Sequence, residues 1–202
     1  MNRTLIINGS PRLDGNTAFL TNTLKEHLEG EVIELSAFRS SIAPCVDCRS
    51  CWSNAVCRVK DDMGIIYEDN FDNVVLATPI YYGALPGQVL SLMTRFQPQH
   101  AARFFLNNPI PLRQKKAGLI LTAGGKGNEN GAEHHIRVLF MMLGGNGHSE
   151  HRATSLKTDT ISAHFDLAAI SKTLDLAKWF NNTKPEKDSL STEWSYEEKS
   201  GE

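Results

Sequence analysis

Residues 6–17 of the chain read Ile-Ile-Asn-Gly-Ser-Pro-Arg-Leu-Asp-Gly-Asn-Thr, which is typical of a loop between a strand and a helix. Residues 4–7 form a short, mostly apolar run that predicts a buried strand, and a helical pattern begins at Asn16. Between them lies a loop of small and hydroxylated residues. Such a loop is suited to bind an anion, because unpaired backbone N–H groups and the positive end of the helix both face it.

The loop at residues 8–17 differs from two common phosphate-binding motifs. It has neither the lysine of G-x-x-x-x-G-K-[ST] nor the glycine spacing of G-x-G-x-x-G. It therefore predicts a single terminal phosphate rather than a triphosphate or a bridging pyrophosphate. We expect Ser10, Asn16 and Thr17 to hold it, with Arg12 nearby. The alternative is an ordinary strand-to-helix turn, since short loops of this kind are common connectors.

The rest of the chain alternates strands with helices. Residues 97–116, which contain several prolines, are predicted to be irregular. Alternation predicts a parallel sheet with helices on both faces. We therefore predict an α/β fold, a flavodoxin-like three-layer sandwich whose five-stranded parallel sheet has the order 2-1-3-4-5. The further strands are predicted at residues 31–35, 74–78, 117–122 and 149–155, and the helices at residues 16–28, 63–70, 88–96, 133–143 and 162–180.

A second loop follows the third predicted strand and reads Thr-Pro-Ile-Tyr-Tyr-Gly over residues 78–83. In the predicted order, ligands bind between strands one and three, so this loop should lie beside the phosphate loop. Its aromatic pair suggests that the phosphate belongs to a planar ring system. The glycine-rich loop at residues 122–127 would offer N–H groups on the far side of that ring. Tyr81 and Tyr82 could equally be core or interface aromatics.

Composition excludes several classes of function. The 202 residues carry a formal net charge of −2, which gives no basic surface for nucleic acid or an anionic membrane. No apolar run approaches the ~20 residues that a membrane span requires, and residues 1–4 have no signal-peptide layout. We therefore expect a cytoplasmic protein. In that reducing compartment the four cysteines should not form disulfides.

All four cysteines lie within residues 36–60, called the cysteine segment below, with the spacing C-x2-C-x2-C-x5-C. Three thiols at two-residue intervals can surround one compact centre, and the fourth can close it, as in [4Fe-4S] ligation. Zinc also accepts four thiolates, but structural zinc sites usually pair two separated Cys-x2-Cys units. A third interpretation is that the thiols simply pack the loop, because a buried cysteine behaves as a small apolar residue.

Residues 8–12 and 15–17, together with residues 78–83, resemble the NADPH-dependent FMN reductase family of flavodoxin-like proteins, over roughly residues 1–180. The resemblance implies FMN, with its phosphate on the first loop and its isoalloxazine ring on the second. It also implies a homodimer or homotetramer. Leu90 stands where that family often has a lysine. The FMN-binding residues predicted on this basis are Ser10, Pro11, Arg12, Asn16, Thr17, Pro79, Ile80, Tyr81, Tyr82, Gly83, Ala123, Gly124 and Gly125.

The cysteine spacing is similar to that of the iron–sulfur flavoproteins within this family, which carry FMN and a [4Fe-4S] cluster. This likeness makes Cys45, Cys48, Cys51 and Cys57 the predicted cluster ligands. Asp47 departs from the pattern, because a glycine is common at its position. The predicted organisation is an FMN-binding domain at residues 1–180, with the cysteine segment as an insertion, followed by a polar tail at residues 181–202.

Three functions follow as hypotheses. The first is an FMN-dependent NAD(P)H oxidoreductase that passes electrons to a quinone, a flavin or another small acceptor. The second is an iron–sulfur flavoprotein electron carrier reduced by ferredoxin, and the third is a non-enzymatic zinc-binding module. No catalytic side chain is named, because the cofactor carries flavin chemistry. Arg95 and Arg103 could attract the NAD(P)H phosphate, although surface solubility explains them equally well.

Overall fold

A computed structural model describes residues 2–125 and 130–182, with only the backbone of Asn130. The strands are β1 (Arg3–Asn8), β2 (Glu31–Ser36), β3 (Asn73–Pro79), β4 (Lys115–Thr122), β5 (Gly145–Asn146) and β6 (Arg152–Ser155). Every strand pairing is parallel, and the order is β2-β1-β3-β4-β5, with β6 also pairing with β4. The predicted order is therefore confirmed.

The fifth position of the sheet is divided between two short strands. β5 pairs with the start of β4, and β6 pairs with its end. A turn at Gly147, which adopts a positive φ of 94°, separates them, and the N–H of His151 donates to its carbonyl at 2.9 Å. The strand predicted at residues 149–155 therefore lies where expected, but it begins only at Arg152.

Helices cover the sheet on both faces, as a three-layer sandwich requires. They are α1 (Asn16–His27), α2 (Cys51–Asn54), α3 (Gly64–Tyr67), α4 (Gly87–Met93), α5 (Gln97–Phe104), α6 (Asn130–Leu143) and α7 (Leu167–Asn181). In β1, Leu5 and Ile7 belong to the core with α4 and α6, and Ile6 belongs to the opposite core with α1 and α7. This alternation follows from the two-residue period of a strand.

The prediction that residues 97–116 are irregular is wrong in its first half, which forms α5. Pro98 lies in the first turn of that helix. Proline is tolerated there because the N–H it lacks would have no partner within the helix. The last helix also begins later than predicted, at Leu167, where the Asp166 side chain accepts from the N–H of Ala169 at 3.0 Å.

The end of α7 is attached to α1. The side chain of Asn181 accepts from the N–H of Glu29 at 2.9 Å and donates to the carbonyl of His27 at 2.8 Å. Beyond residue 182, the tail predicted at residues 181–202 lies outside the described residues. Among the helices that are described, none is both long and apolar enough to cross a membrane.

Candidate functional site

Three loops meet at the carboxyl edge of the sheet: the first loop at residues 8–17, the second at residues 78–83 and the third, as far as it is described, at residues 122–125. The N–H of Gly9 donates to the carbonyl of Ala77 at 2.8 Å, next to the start of the second loop. The N–H of Ile80 donates to the carbonyl of Thr122 at 2.8 Å, at the start of the third. The adjacency predicted from the strand order is therefore confirmed.

Gly9 allows the first loop to approach β3 closely. A Cβ atom at this position would lie 2.5 Å from the Thr78 hydroxyl oxygen and 2.6 Å from a methyl group of Val89. Neither neighbour is a flexible side chain that could move away easily, because both are β-branched. The first loop can therefore take this position only with glycine at residue 9.

Asn8 organises the first loop from below, a role that the sequence analysis missed. Its side-chain oxygen accepts from the N–H of Ser10 at 2.8 Å, and its amide donates to Glu34 at 2.8 Å. The Ser10 hydroxyl bonds to the backbone of Arg12 at 3.2 Å, so this predicted phosphate ligand also shapes the turn. The Asn-Gly pair that ends β1 was the available signal, since asparagine commonly bonds to the backbone two residues on.

Among the described residues, no side chain caps the first turn of α1. Its N-cap, Gly15, provides no side-chain acceptor, and the first turn contains no acidic residue. The first N–H groups of any helix have no partner within the helix. The Asn16 side-chain oxygen accepts from the Ser162 hydroxyl at 3.0 Å and from the N–H of Ala163 at 2.8 Å. These contacts orient the start of the helix.

Thr17 lies beneath the loop rather than on its surface. It is buried, and its hydroxyl hydrogen-bonds the Thr122 hydroxyl at 2.7 Å. The side chain predicted to hold a phosphate therefore already has a partner within the protein. Its backbone N–H, in the first turn of α1, is the group placed to meet an anion.

The second loop contains a tight turn with an exposed aromatic tip. Tyr81 and Ala84 exchange backbone hydrogen bonds of 3.0 Å in both directions. The two residues between them, Tyr82 and Gly83, have positive φ angles of 52° and 78°, as in a type I′ turn. A positive φ is unusual for a bulky residue. The turn leaves Tyr82 fully exposed, whereas Ile80, which precedes the turn, is buried.

The third loop packs against the segment that follows β6. Ala123 is buried, and its carbonyl accepts from the N–H of Thr158 at 3.0 Å. Gly124 and Gly125 are exposed, and the carbonyl of Gly125 accepts from the N–H of Lys157 at 2.8 Å. The rest of the predicted glycine-rich loop, residues 126–127, lies outside the described residues.

These three loops fit FMN in their chemistry. The open donors of α1 suit a phosphate, and the exposed Tyr81 and Tyr82 offer apolar surface to a planar ring. The predicted residues thus lie at one edge of the sheet, and their individual contacts to FMN stay predictions.

The four thiols of the cysteine segment line one cavity and form no disulfide. Cys51 is buried, Cys48 is exposed, and Cys45 and Cys57 are half-buried. Burial raises the pKa of the Cys51 thiol, whereas hydrogen bonds from Ser50 lower the pKa of the Cys48 thiol. The exposed Cys48 thiol therefore ionises more readily than the buried Cys51 thiol.

The four thiols do not converge on a single metal position. Within residues 2–125 and 130–182, no three Cys, His, Asp or Glu side chains lie close enough to hold one metal ion. A zinc ion takes each of its sulfur ligands at about 2.3 Å. A [4Fe-4S] cluster instead spreads four thiolates over four irons, and this donor set matches it. The four thiols line a cavity of about 30 Å³.

The cysteine segment is held from beneath by a buried ion pair. The Arg95 guanidinium bonds both carboxylate oxygens of Asp61, at 2.6 and 3.2 Å, and the two side chains are 1% and 7% exposed. Burial tends to raise the pKa of Asp61, but hydrogen bonds from Arg95 and from the N–H groups of Ala43 and Met63 outweigh it and lower the pKa.

The expectation that Arg95 attracts the phosphate of NAD(P)H is wrong, because its side chain is 1% exposed and is paired with Asp61. The sequence contained a signal for this burial. Arg95 follows Val89 and Leu92 at three-residue intervals, and both of these are buried. Residues three apart share a helix face, so the pattern places Arg95 on the face that packs against the core.

A second and larger cavity, of about 490 Å³, lies beside Cys57. Its lining includes Ile66 and Tyr67 of α3 and Met142 of α6. The predicted FMN-binding residues line neither this cavity nor the cysteine cavity. The cysteine segment is therefore bordered on two sides by concave surface.

Comparisons with known proteins agree with this geometry. The profile of the NADPH-dependent FMN reductases matches residues 2–154. An iron-sulfur flavoprotein of Methanocaldococcus jannaschii is 30% identical over 138 residues, which cover 66% of this chain and 67% of that protein. One of Archaeoglobus fulgidus is 31% identical over 145 residues, covering 68% and 71% respectively.

Among solved structures, an FMN-dependent NADH-azoreductase from Bacillus anthracis, in complex with FMN, has the same fold, with a TM-score of 0.65 and 16% identity. The match covers 90% of this chain and 100% of that one. The chain therefore belongs to the NADPH-dependent FMN reductase family, and it is an FMN-binding redox protein, either an oxidoreductase or an electron carrier.

Proposed function

We propose that the protein is an FMN-dependent oxidoreductase that takes electrons from NAD(P)H and passes them to a quinone, a flavin or another small acceptor. One observation carries the proposal: the uncapped start of α1 lies at the same sheet edge as the exposed aromatic turn of Tyr81 and Tyr82. When bound, FMN supplies hydride and single-electron transfer.

The protein's own groups have defined tasks in this proposal. Backbone N–H groups of the first turn of α1 bind the phosphate, and Asn16 and Gly9 keep that turn in place. Tyr81 and Tyr82 border the ring. No side chain is assigned as a catalytic acid or base. A homodimer or homotetramer stays a prediction, which light scattering after size-exclusion chromatography will test.

The experiment is an absorbance spectrum of anaerobically purified protein, followed by titration with NADPH and, in parallel, with NADH. We expect flavin bands that bleach on addition of one or both nucleotides and return when a quinone is added. Bound flavin that neither nucleotide bleaches would contradict the proposed donor, and a colourless protein would contradict FMN binding itself.

The four thiols around one cavity favour a second candidate function. In it, the cysteine segment holds a [4Fe-4S] cluster, and the protein is an electron carrier that ferredoxin reduces. We then expect iron and sulfide in the purified protein, and bleaching by reduced ferredoxin in the absence of NAD(P)H. Stoichiometric zinc without iron after anaerobic purification would support the third hypothesis, the zinc-binding module, instead.

A further inference from the structure

Arg95 connects the two arms of the cysteine segment. Its guanidinium donates to the carbonyl of Ala43 at 2.8 Å, which precedes the first cysteine, and to the carbonyl of Val59 at 3.3 Å, which follows the last. It also donates to the Cys57 sulfur at 3.4 Å. The pair with Asp61 holds the guanidinium in this orientation.

Thr94, the residue before Arg95, also holds the cysteine segment in place. The Thr94 hydroxyl accepts from the N–H of Cys45 at 2.9 Å, and the Tyr67 hydroxyl donates to the carbonyl of Arg95 at 2.6 Å. Two consecutive residues therefore hold the first and the last cysteine.

One hydrogen-bond donor of the buried Arg95 side chain has no partner among the described residues. This donor is the Nε–H group, which is itself buried, and Arg95 lines the cysteine cavity. A buried donor without an acceptor is unfavourable, because it has lost its hydrogen bond to water. A sulfur atom of a cluster bound in this cavity would be a suitable acceptor for the Nε–H group of Arg95.

We propose that Arg95 positions Cys57 and raises the reduction potential of a [4Fe-4S] cluster held by the four cysteines, by donating hydrogen bonds to its sulfur atoms. This inference rests on the second candidate function. Reduction adds negative charge to a cluster, and a cationic donor stabilises that charge. Hydrogen bonds to sulfur are among the determinants of cluster potential.

The test uses the full chain, reconstituted anaerobically with iron and sulfide, as wild type and as Arg95→Lys. Lysine keeps the buried positive charge beside Asp61 but lacks the planar fork that reaches several acceptors at once. We measure FMN, iron and sulfide per chain, and follow the cluster potential by a redox titration monitored by electron paramagnetic resonance.

We expect Arg95→Lys to retain FMN and to shift the equilibrium toward the oxidised cluster by about tenfold, which is roughly 59 mV for a one-electron couple. Loss of iron with FMN retained would also support the positioning role. Wild-type iron content together with wild-type potential in the variant would overturn the inference alone. A wild-type chain that takes up no cluster would overturn both the inference and the candidate function.

A second variant tests the same inference in case Arg95→Lys does not fold. Arg95→Met with Asp61→Asn leaves no buried charge unpaired, a condition that limits destabilisation, and we expect the same downward shift of potential. The matched control is Lys115→Met with Asp69→Asn, which removes a buried cation and its partner at the amino end of β4. The control should retain both iron content and potential, and an equal shift in the control would overturn the inference.

Discussion

Asn16 is the first residue of α1. A negative charge at this position would stabilise the FMN-free protein but weaken the binding of a phosphate. Its side-chain oxygen already accepts two hydrogen bonds, from the Ser162 hydroxyl and from the N–H of Ala163. An aspartate has an oxygen in the same place and can keep both bonds. A carboxylate at a helix start also interacts favourably with the helix dipole. A phosphate bound to the same N–H groups would, however, be repelled.

We therefore predict that Asn16→Asp stabilises the FMN-free protein by about 0.3–1 kcal/mol and weakens FMN binding by about tenfold or more, as expected for like charges a few ångströms apart. Urea unfolding and flavin fluorescence titration measure the two effects. Riboflavin, which lacks the phosphate, is the control ligand. An equal loss of riboflavin affinity would contradict the phosphate assignment of this loop.

Gly9 gives a second prediction for a single residue. Gly9→Ala would place a methyl group 2.5 Å from the Thr78 hydroxyl oxygen, so we expect a loss of about 1–3 kcal/mol in the free energy of unfolding and weaker FMN binding. The control is Gly87→Ala at the start of α4, where an added Cβ meets no atom within 4 Å. Alanine there should be neutral or stabilising by about 0.4–1 kcal/mol.

The hydroxyl pair of Thr17 and Thr122 ties α1 to the end of β4. Because both groups are buried, removing one leaves the other without its partner, which costs about 1–3 kcal/mol. We predict that Thr17→Val and Thr122→Val each destabilise the protein, and that the double variant loses less than the sum. Urea unfolding of the four proteins gives this coupling energy, and strictly additive losses would contradict the pairing.

FMN titration of the same variants separates two roles of Thr17. Equal loss of affinity in both single variants indicates that the pair acts by holding the loop in position. A loss confined to Thr17→Val indicates that its hydroxyl contacts the phosphate directly.

Strands and helices whose hydrophobic pattern lies within a short stretch of sequence were predictable. The apolar run of β3 and the face of α1 each lie within one short window, and the strand order followed from their alternation. The site's internal contacts were not predictable in this way. The Thr17–Thr122 pair joins residues 105 positions apart, and α5 forms despite Pro98 because the proline falls in its first turn.

The free energy of unfolding of the entire protein should depend on pH through His148, which lies between β5 and β6. Its ring stacks on Phe140 with centroids 4.8 Å apart. Burial has the largest effect and lowers its pKa. Glu133 opposes this with the next largest effect, and Arg152 and Arg137 lower the pKa further.

The folded protein therefore resists protonation of His148, while the unfolded chain takes up the proton near pH 6.5. The unfolded state binds more protons as the pH falls below that value, so folding stability decreases. We predict that wild type loses more free energy of unfolding than His148→Gln between pH 7.5 and 5.5. Urea unfolding at the two pH values tests this, and identical losses would contradict it.

The attachment of the cysteine segment to Arg95 has a consequence for the order in which the protein is made. Cys57 and Arg95 are separated by 38 positions, and α4 lies between them in the chain. During synthesis all four thiols leave the ribosome before the side chain that holds them. The segment therefore lacks its contacts with Thr94 and Arg95 until α4 has formed, and a cluster acquired during maturation would be secured by these contacts only after that stage.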